Sequence, residues 1–403
     1  MKIKRDEAYA RGKAAGMAAK TDPIWLKMAE SVMEWARMSY PASRHLDYKS
    51  EVMKLETERL AADLDFTRFP ECRWWRDAVI AEHRGFLDGC GDEWMTAHHF
   101  NWYWFVSRRL NTRYVGVEAP RGKCTAVWFR DSNEGPLQGN NLDDIRRPFQ
   151  KFEPPSEGPS GKPFKKITSI GGVSAAVLCD EEPENIFPVD PIAVMPEDIK
   201  TLPDFVKFLQ RYVEFFGPGN LIWVDPEMNS VAIEKSNCRM GVRWEKNGVS
   251  AVTACAYLTP EMNAFKKERD LLSYKMRGWD EKDNPDYVFW DGCERRYHRL
   301  LALTDELARS GPTLEGLANI MLDHAVAFPE RICLAGENDY PFYEVANWTL
   351  TSSSSVLFGP TRRTLWWRIE DDMAIYETKP FLIPGKGVRV LEEWKKGTRS
   401  EGS

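Results

Sequence analysis

The hydrophobic pattern of this 403-residue chain changes period near Arg121–Gly122. Upstream, apolar residues recur at helical spacing. Downstream they gather into short β-branched and aromatic runs punctuated by Gly, Asn and Pro. Such a chain must assemble helices first and then fold strands against further helices, which predicts an α+β layered sandwich. No repeat of fixed period is visible.

In the upstream part, "DPIWLKMAESVMEWARMSY" predicts a helix through Ile24, Leu26, Met28, Met33 and Trp35, and "SEVMKLETERLAADLD" predicts a second. "WWRDAVIAEHRGFLDGCGDEW" predicts a third, closed by Gly89 and Gly91, and "MTAHHFNWYWFVSRRL" a fourth. Downstream, strands are expected at "CTAVWFR", "LQGNNLD", "ITSIGGVSAAVL", "LIWVD", "VAIEKS", "RMGVRW", "SAVTACAYL", "TLTSSSSVLF" and "TLWWRI". Helices are expected at "LPDFVKFLQRYVEFFGPGN", closed by Gly217, at "RRYHRLLALTDELARSG" and at "TLEGLANIMLDHAV". The segment "KFEPPSEGPSGKPFKK" has the composition of a surface loop.

A hydrophobic content of 43% suits one large domain, or a core domain with a helical appendage. Acidic residues outnumber basic ones, 61 to 55, and no Lys/Arg block could track a phosphate backbone, which argues against nucleic acid as a partner. No stretch approaches the roughly 18 apolar residues of a membrane span, and "MKIKRDEAYARGKAAGMAAK" lacks the apolar core of a signal peptide. The expected setting is therefore soluble and cytoplasmic, with no membrane partner. The eight cysteines form no CxxC pair, so reduced thiols are expected.

Several catalytic motifs are missing. There is no GxSxG, no HExxH, and "GPSGKPF" lacks the upstream Gly and the Ser/Thr of a P-loop. His98 and His99 are adjacent on a predicted helix, roughly 100° apart, so packing or surface exposure suits them better than a metal. "DGCGDEW" is Gly-containing but follows a helix, which weakens a phosphate-binding reading.

Cys124 opens the first strand-like run. A cysteine in a strand is ordinarily a small apolar core residue. The order of features around it argues for more. "CTAVWFR…EGPLQGNNLD" (Cys124 to Asp143) resembles the nucleophile strand, turn and Gly-x-Asn-x-Asp segment of the acyl-CoA:6-aminopenicillanic acid acyltransferase-like family. That family belongs to the N-terminal nucleophile hydrolases related to choloylglycine hydrolase. "EHRGFLDGCGDEW" (Glu82 to Trp94) is similar to the helix-ending motif of the family's propeptide. "GNLIWVDPEMNSVAIEKSNCRMGVRW", "YLTPEM", "RYHRLLALTDEL", "TLEGLANIMLDHA" and "TLTSSSSVLFGPTRRTLWW" follow in the family's order, so the likeness spans roughly residues 75 to 370.

The resemblance implies an αββα N-terminal-nucleophile-hydrolase sandwich over residues 124–403, preceded by a helical propeptide-like segment over residues 1–123. It implies that the Lys123–Cys124 bond is cleaved by the precursor itself, leaving α- and β-chains of one precursor as partners. Cys124 then carries a free α-amine that serves as base for its own thiol. The two reference pKa values, about 7.7–8.0 and about 8.5, lie close enough for easy proton transfer. No histidine, metal or cofactor is needed.

By position in the motif, Asp143 would orient the new amine and Asn141 would support the same turn. The plainer readings are a strand-end cap for Asp143 and a turn residue for Asn141. Backbone N–H groups near Thr168 and Ser169 are the candidate oxyanion donors. Ala254 and Cys255 stand in "TACAYL" where the family carries an oxyanion-hole Asn, whose loss costs about 2.7–4 kcal/mol of transition-state stabilisation. Asn140 stands where choloylglycine hydrolases carry Arg, which argues against bile-salt-type substrates, and Lys123 replaces a small residue at the cleavage point.

Two functions follow as expectations. One is an amidohydrolase or acyltransferase acting through an acyl-Cys124 thioester on a small acylated substrate, with acyl-CoA as a candidate acyl donor. The other is a catalytically impaired relative that serves as a binding or structural protein.

Overall fold

The computed structural model describes residues 4–21, 73–90, 124–132, 135–145, 166–173, 191–213, 216, 219–236, 238–253, 256–277, 285–323, 325–326, 330–332, 350–358, 364–369 and 373–378. The helices expected at 22–40, 50–65 and 95–110, His98 and His99 among them, lie outside these residues.

In chain order the elements are α1 (Arg5–Thr21), α2 (Arg73–Cys90), β1 (Thr125–Phe129), β2 (Leu137–Ile145), β3 (Thr168–Val173), α3 (Pro191–Val194), α4 (Leu202–Arg211), β4 (Gly219–Val224), β5 (Ser230–Lys235), β6 (Met240–Trp244), β7 (Val249–Thr253), α5 (Pro260–Arg277), α6 (Pro285–Ser310), α7 (Leu314–Met321), β8 (Leu350–Phe358), β9 (Thr364–Ile369) and β10 (Met373–Thr378). The protein is α+β, as its sequence predicts. Among the described residues no helix is long and apolar enough to cross a membrane.

The strands form two antiparallel sheets, one of six strands ordered β10-β9-β8-β2-β1-β7 and one of four ordered β3-β4-β5-β6. β1 lies inside the larger sheet, between β2 and β7. Its sequence TAVWF is buried at every position. A continuous apolar run suits a strand covered on both faces. Alternate residues show what covers it. Ala126 and Trp128 pack with Ile222, Val224 and Ala232 of the smaller sheet, whereas Val127 and Phe129 pack with Leu300, Leu314 and Leu317 of α6 and α7. The far face of the smaller sheet, through Trp223, Val231 and Ile233, buries Phe205, Phe208 and Leu209 of α4. The layers therefore run helix, six-stranded sheet, four-stranded sheet, helix.

Close backbone approach seats α7 on β2. A side-chain carbon at Gly139 would sit 3.0 Å from the Met321 side chain and 3.1 Å from Leu317. The one glycine of "LQGNNLD" thus has a packing cause: it leaves room for a helix.

α4 is shorter than its periodicity predicts. Thr201 caps its start by accepting from the Asp204 N–H, but the helix ends at Arg211, with Tyr212 leaving helical geometry and donating back to the Phe208 carbonyl. Phe216 then folds under the sheet against Phe208, their ring centroids 5.4 Å apart, and its carbonyl accepts from the buried Lys235 ammonium at 2.6 Å. Gly217, the expected end of this helix, lies outside the described residues.

α1 and α2 pack in parallel at backbone contact. Ala8 meets Ala78 and Ala81, and the Gly12, Gly85 and Gly89 positions press directly on backbone atoms of the opposite helix. Arg11 closes the pair with two bonds to Glu82, at 2.9 and 2.6 Å.

Candidate active site

Cys124 immediately precedes β1 and is 6% exposed. By strand alternation it falls on the side of Ala126 and Trp128, facing the smaller sheet. Thr125 pairs with Asn141 of β2 and with Thr253 of β7, so Cys124 stands one residue beyond both pairings. Asp143 follows Asn141 by two residues in β2, and its Cα pairs with Ser352 of β8. The sheet register therefore brings the backbone positions of Cys124 and Asp143 to the same end of the larger sheet.

The other expected residues are arranged differently. Asn141 is fully buried, and its amide donates to the Met321 carbonyl at 2.7 Å. Its side chain serves the helix-facing side of the sheet, where it fastens the end of α7, and not the Cys124 side. Thr168 pairs with Val224, four residues along β4 from Asn220 (224 − 220 = 4), and Asn220 marks the Cys124 end of that sheet. At ~3.3 Å per strand residue this places Thr168 about 13 Å along the sheet from that end. Ser169 is exposed on the same strand, next to a bulge between Ser169 and Gly171. The structure does not gather Thr168 and Ser169 with Cys124. Lys123, Ala254 and Cys255 lie outside the described residues.

Two further side chains build this end of the molecule. Asn220 and Glu234 are direct cross-strand partners of β4 and β5, and both face the larger sheet. Asn220 is 1% exposed and donates to the carbonyls of Thr253 and Ala256, each at 3.0 Å. Glu234 is fully buried and accepts from the Leu258 N–H, the Thr259 N–H and the Thr259 hydroxyl at 2.9–3.0 Å. Arg243 neutralises it from 2.6 Å. One polar pair in the smaller sheet thus grips both flanks of the connection from β7 to α5, which carries Ala254 and Cys255. The sequence signal for this pair is a polar residue breaking an apolar strand run, Asn220 in "GNLIWV" and Glu234 in "SVAIEK".

Arg243 also donates to the Tyr297 hydroxyl at 2.7 Å, with its guanidinium 5.1 Å from the ring centroid. Burial pushes the Tyr297 phenol above its ordinary range, and the neighbouring Arg243 charge opposes that shift.

Polar satisfaction is incomplete around Cys124. Thr125 Oγ1, Asn140 Oδ1 and Asn220 Oδ1 are buried without a hydrogen-bond partner. Thr125 adjoins Cys124, Asn140 pairs with Ala126, and Asn220 holds the strand partner of Thr125. Orphaned buried oxygens of this kind cost about 1–3 kcal/mol each and are uncommon in native interiors. Among the described residues no group of three His, Cys, Asp or Glu side chains could hold a metal ion. No protein-family model matches this chain, and no curated protein matches it at a significant level.

Proposed function

We propose that the chain is the precursor of a cysteine N-terminal nucleophile amidohydrolase or acyltransferase with the αββα sandwich of that class. The observation that carries this reading is the position of Cys124 at the head of a central strand, on the side that faces the smaller sheet.

Maturation begins when the Cys124 thiol adds to the Lys123 carbonyl and the Cys124 nitrogen departs with the thiol proton. Water then hydrolyses the resulting thioester. The products are a Lys123 carboxylate and a Cys124 residue with an α-amine and a restored thiol. In turnover the α-amine takes the thiol proton, the thiolate attacks an amide or thioester carbonyl, and the ammonium returns a proton to the leaving amine or thiol. Water, or an acceptor amine in a transfer reaction, releases the acyl group from Cys124. A small acylated compound fits as substrate, with acyl-CoA as a candidate donor.

A binding or structural role is the second reading. It is favoured by the remoteness of Thr168 and Ser169, which removes the described candidates for the oxyanion hole.

Intact mass and N-terminal sequencing of the purified chain test the proposal. Cleavage gives fragments of 123 and 280 residues (403 − 123 = 280), the second starting Cys-Thr-Ala-Val, and Cys124→Ala abolishes it. A single full-length species after long incubation defeats self-processing. A cleaved protein that turns over no amide or thioester from a panel, yet binds acylated ligands, moves the assignment to the second reading.

A further inference from the structure

We propose that the amide oxygens of Asn140 and Asn220 are an acceptor pair for the α-ammonium of Cys124 in the cleaved chain. The inference rests on the cleavage reading above and adds positioning residues that the sequence motifs do not supply.

Three observations converge on it. Both oxygens are buried and without a hydrogen-bond partner. Both face the space between the sheets. A side-chain carbon at Gly171 of the smaller sheet would lie 3.0 Å from Asn140 Oδ1, and the Asn220 amide bonds across to Thr253 of the larger one. Both also flank the start of β1. Asn140 pairs with Ala126 and so sits diagonally from Cys124, a separation of ~7–8 Å between backbone positions that an Asn side chain can bridge in part.

The orientation of the Asn220 amide is fixed by chemistry. Its nitrogen contacts two carbonyl oxygens, so reversing the amide would set three acceptors together. Its oxygen is therefore presented as an acceptor. In the uncleaved chain the Cys124 nitrogen is a peptide nitrogen with one proton. Cleavage converts it into an ammonium with three, which supplies the donors these oxygens lack. An ammonium held by two amide oxygens keeps its proton more firmly than a solvated one, because hydrogen bonds to a charged group favour the charged form. Gly171 contributes space, since any larger residue would press on Asn140 Oδ1.

The test follows acetylation of the Cys124 α-amine against pH in the cleaved full-length protein, after the thiol is blocked with iodoacetamide, with the modified terminus quantified by mass spectrometry. Asn140→Leu is expected to lower the midpoint and to speed acetylation below it by about tenfold, the effect of losing one charge-assisted bond. Asn140→Asp, nearly identical in shape, is expected to raise the midpoint and slow the reaction, and it keeps the test decisive if the leucine variant misfolds. Asn220→Leu should act in the direction of Asn140→Leu. A midpoint unchanged in both Asn140 variants, in protein that carries the Cys-Thr-Ala-Val terminus, overturns the acceptor pair and leaves the nucleophile reading standing. Absence of that terminus in the unsubstituted protein overturns both.

Discussion

Arg243 donates its Nε proton to the fully buried Glu234 carboxylate at 2.6 Å, and the same carboxylate holds the Leu258 and Thr259 backbone N–H groups. The pair joins β5 and β6 to the connection that leads out of β7. Removing one member of a buried pair leaves an uncompensated charge, at a cost of about 3–5 kcal/mol. Arg243→Met should lower the stability measured by urea denaturation by that order. The double variant Arg243→Met with Glu234→Gln should recover part of the loss, because no lone charge remains. Equal stability of Arg243→Met and the unsubstituted protein would remove this pair from the account of how the turn is held.

Asn141 fastens α7 through the Met321 carbonyl. Asn141→Leu leaves that buried carbonyl without this donor, and the expected loss is about 1–3 kcal/mol. Because its amide serves the helix-facing side, the rate of chain cleavage at Cys124 should change little in variant protein that remains folded. A cleavage defect out of proportion to the stability loss would return Asn141 to the site.

Tyr297 is raised above its ordinary pKa of 10.0 chiefly by burial. A group whose folded pKa exceeds its unfolded value contributes stability below the unfolded pKa, and that contribution is lost as pH rises through the folded pKa. Stability should therefore fall as pH climbs above about 10. Tyr297→Phe, which cannot ionise, should flatten that fall in denaturation curves taken across the alkaline range. Superimposable alkaline profiles would mean that Tyr297 ionises alike in both states.

Gly12 tests the contact between α1 and α2. Alanine is better than glycine in a helix by about 1 kcal/mol, yet its side-chain carbon here would lie 1.9 Å from the Glu82 carbonyl oxygen, a backbone atom that cannot swing away. Gly12→Ala should part the helices and raise hydrogen exchange across residues 5–21 and 73–90. Unchanged protection would show that the helices can shift without loss.

An Asn placed at Ala254 or Cys255 restores the side-chain donor of the resembled family. If the cleaved chain is a hydrolase limited by that donor, Ala254→Asn or Cys255→Asn should raise amide turnover by about a hundred-fold or more. Lower turnover in both would mean that other groups stabilise the oxyanion.

The sequence by itself determined the elements with strong periodicity. TAVWF, rich in β-branched and aromatic residues, read as a strand, and "TLEGLANIM" carries its own helix start in Thr313, whose hydroxyl accepts from the Gly316 N–H at 3.0 Å. Elements with weak apolar patterning were not legible. α5, "PEMNAFKKERDLLSYKMR", is crowded with charge, and β10 is a short run at the edge of its sheet. Tertiary structure alone decided which polar residues meet. "GNNLD" offers Asn140, Asn141 and Asp143 in one strand, yet alternation sends Asn140 between the sheets and Asn141 to α7. Asn220 and Glu234 lie about 95 to 110 residues beyond Cys124 (220 − 124 = 96 and 234 − 124 = 110), and only sheet stacking brings them to its end of the molecule. Local propensity acts over a few neighbours in the chain, whereas the burial of a polar side chain depends on a partner that the fold delivers from elsewhere.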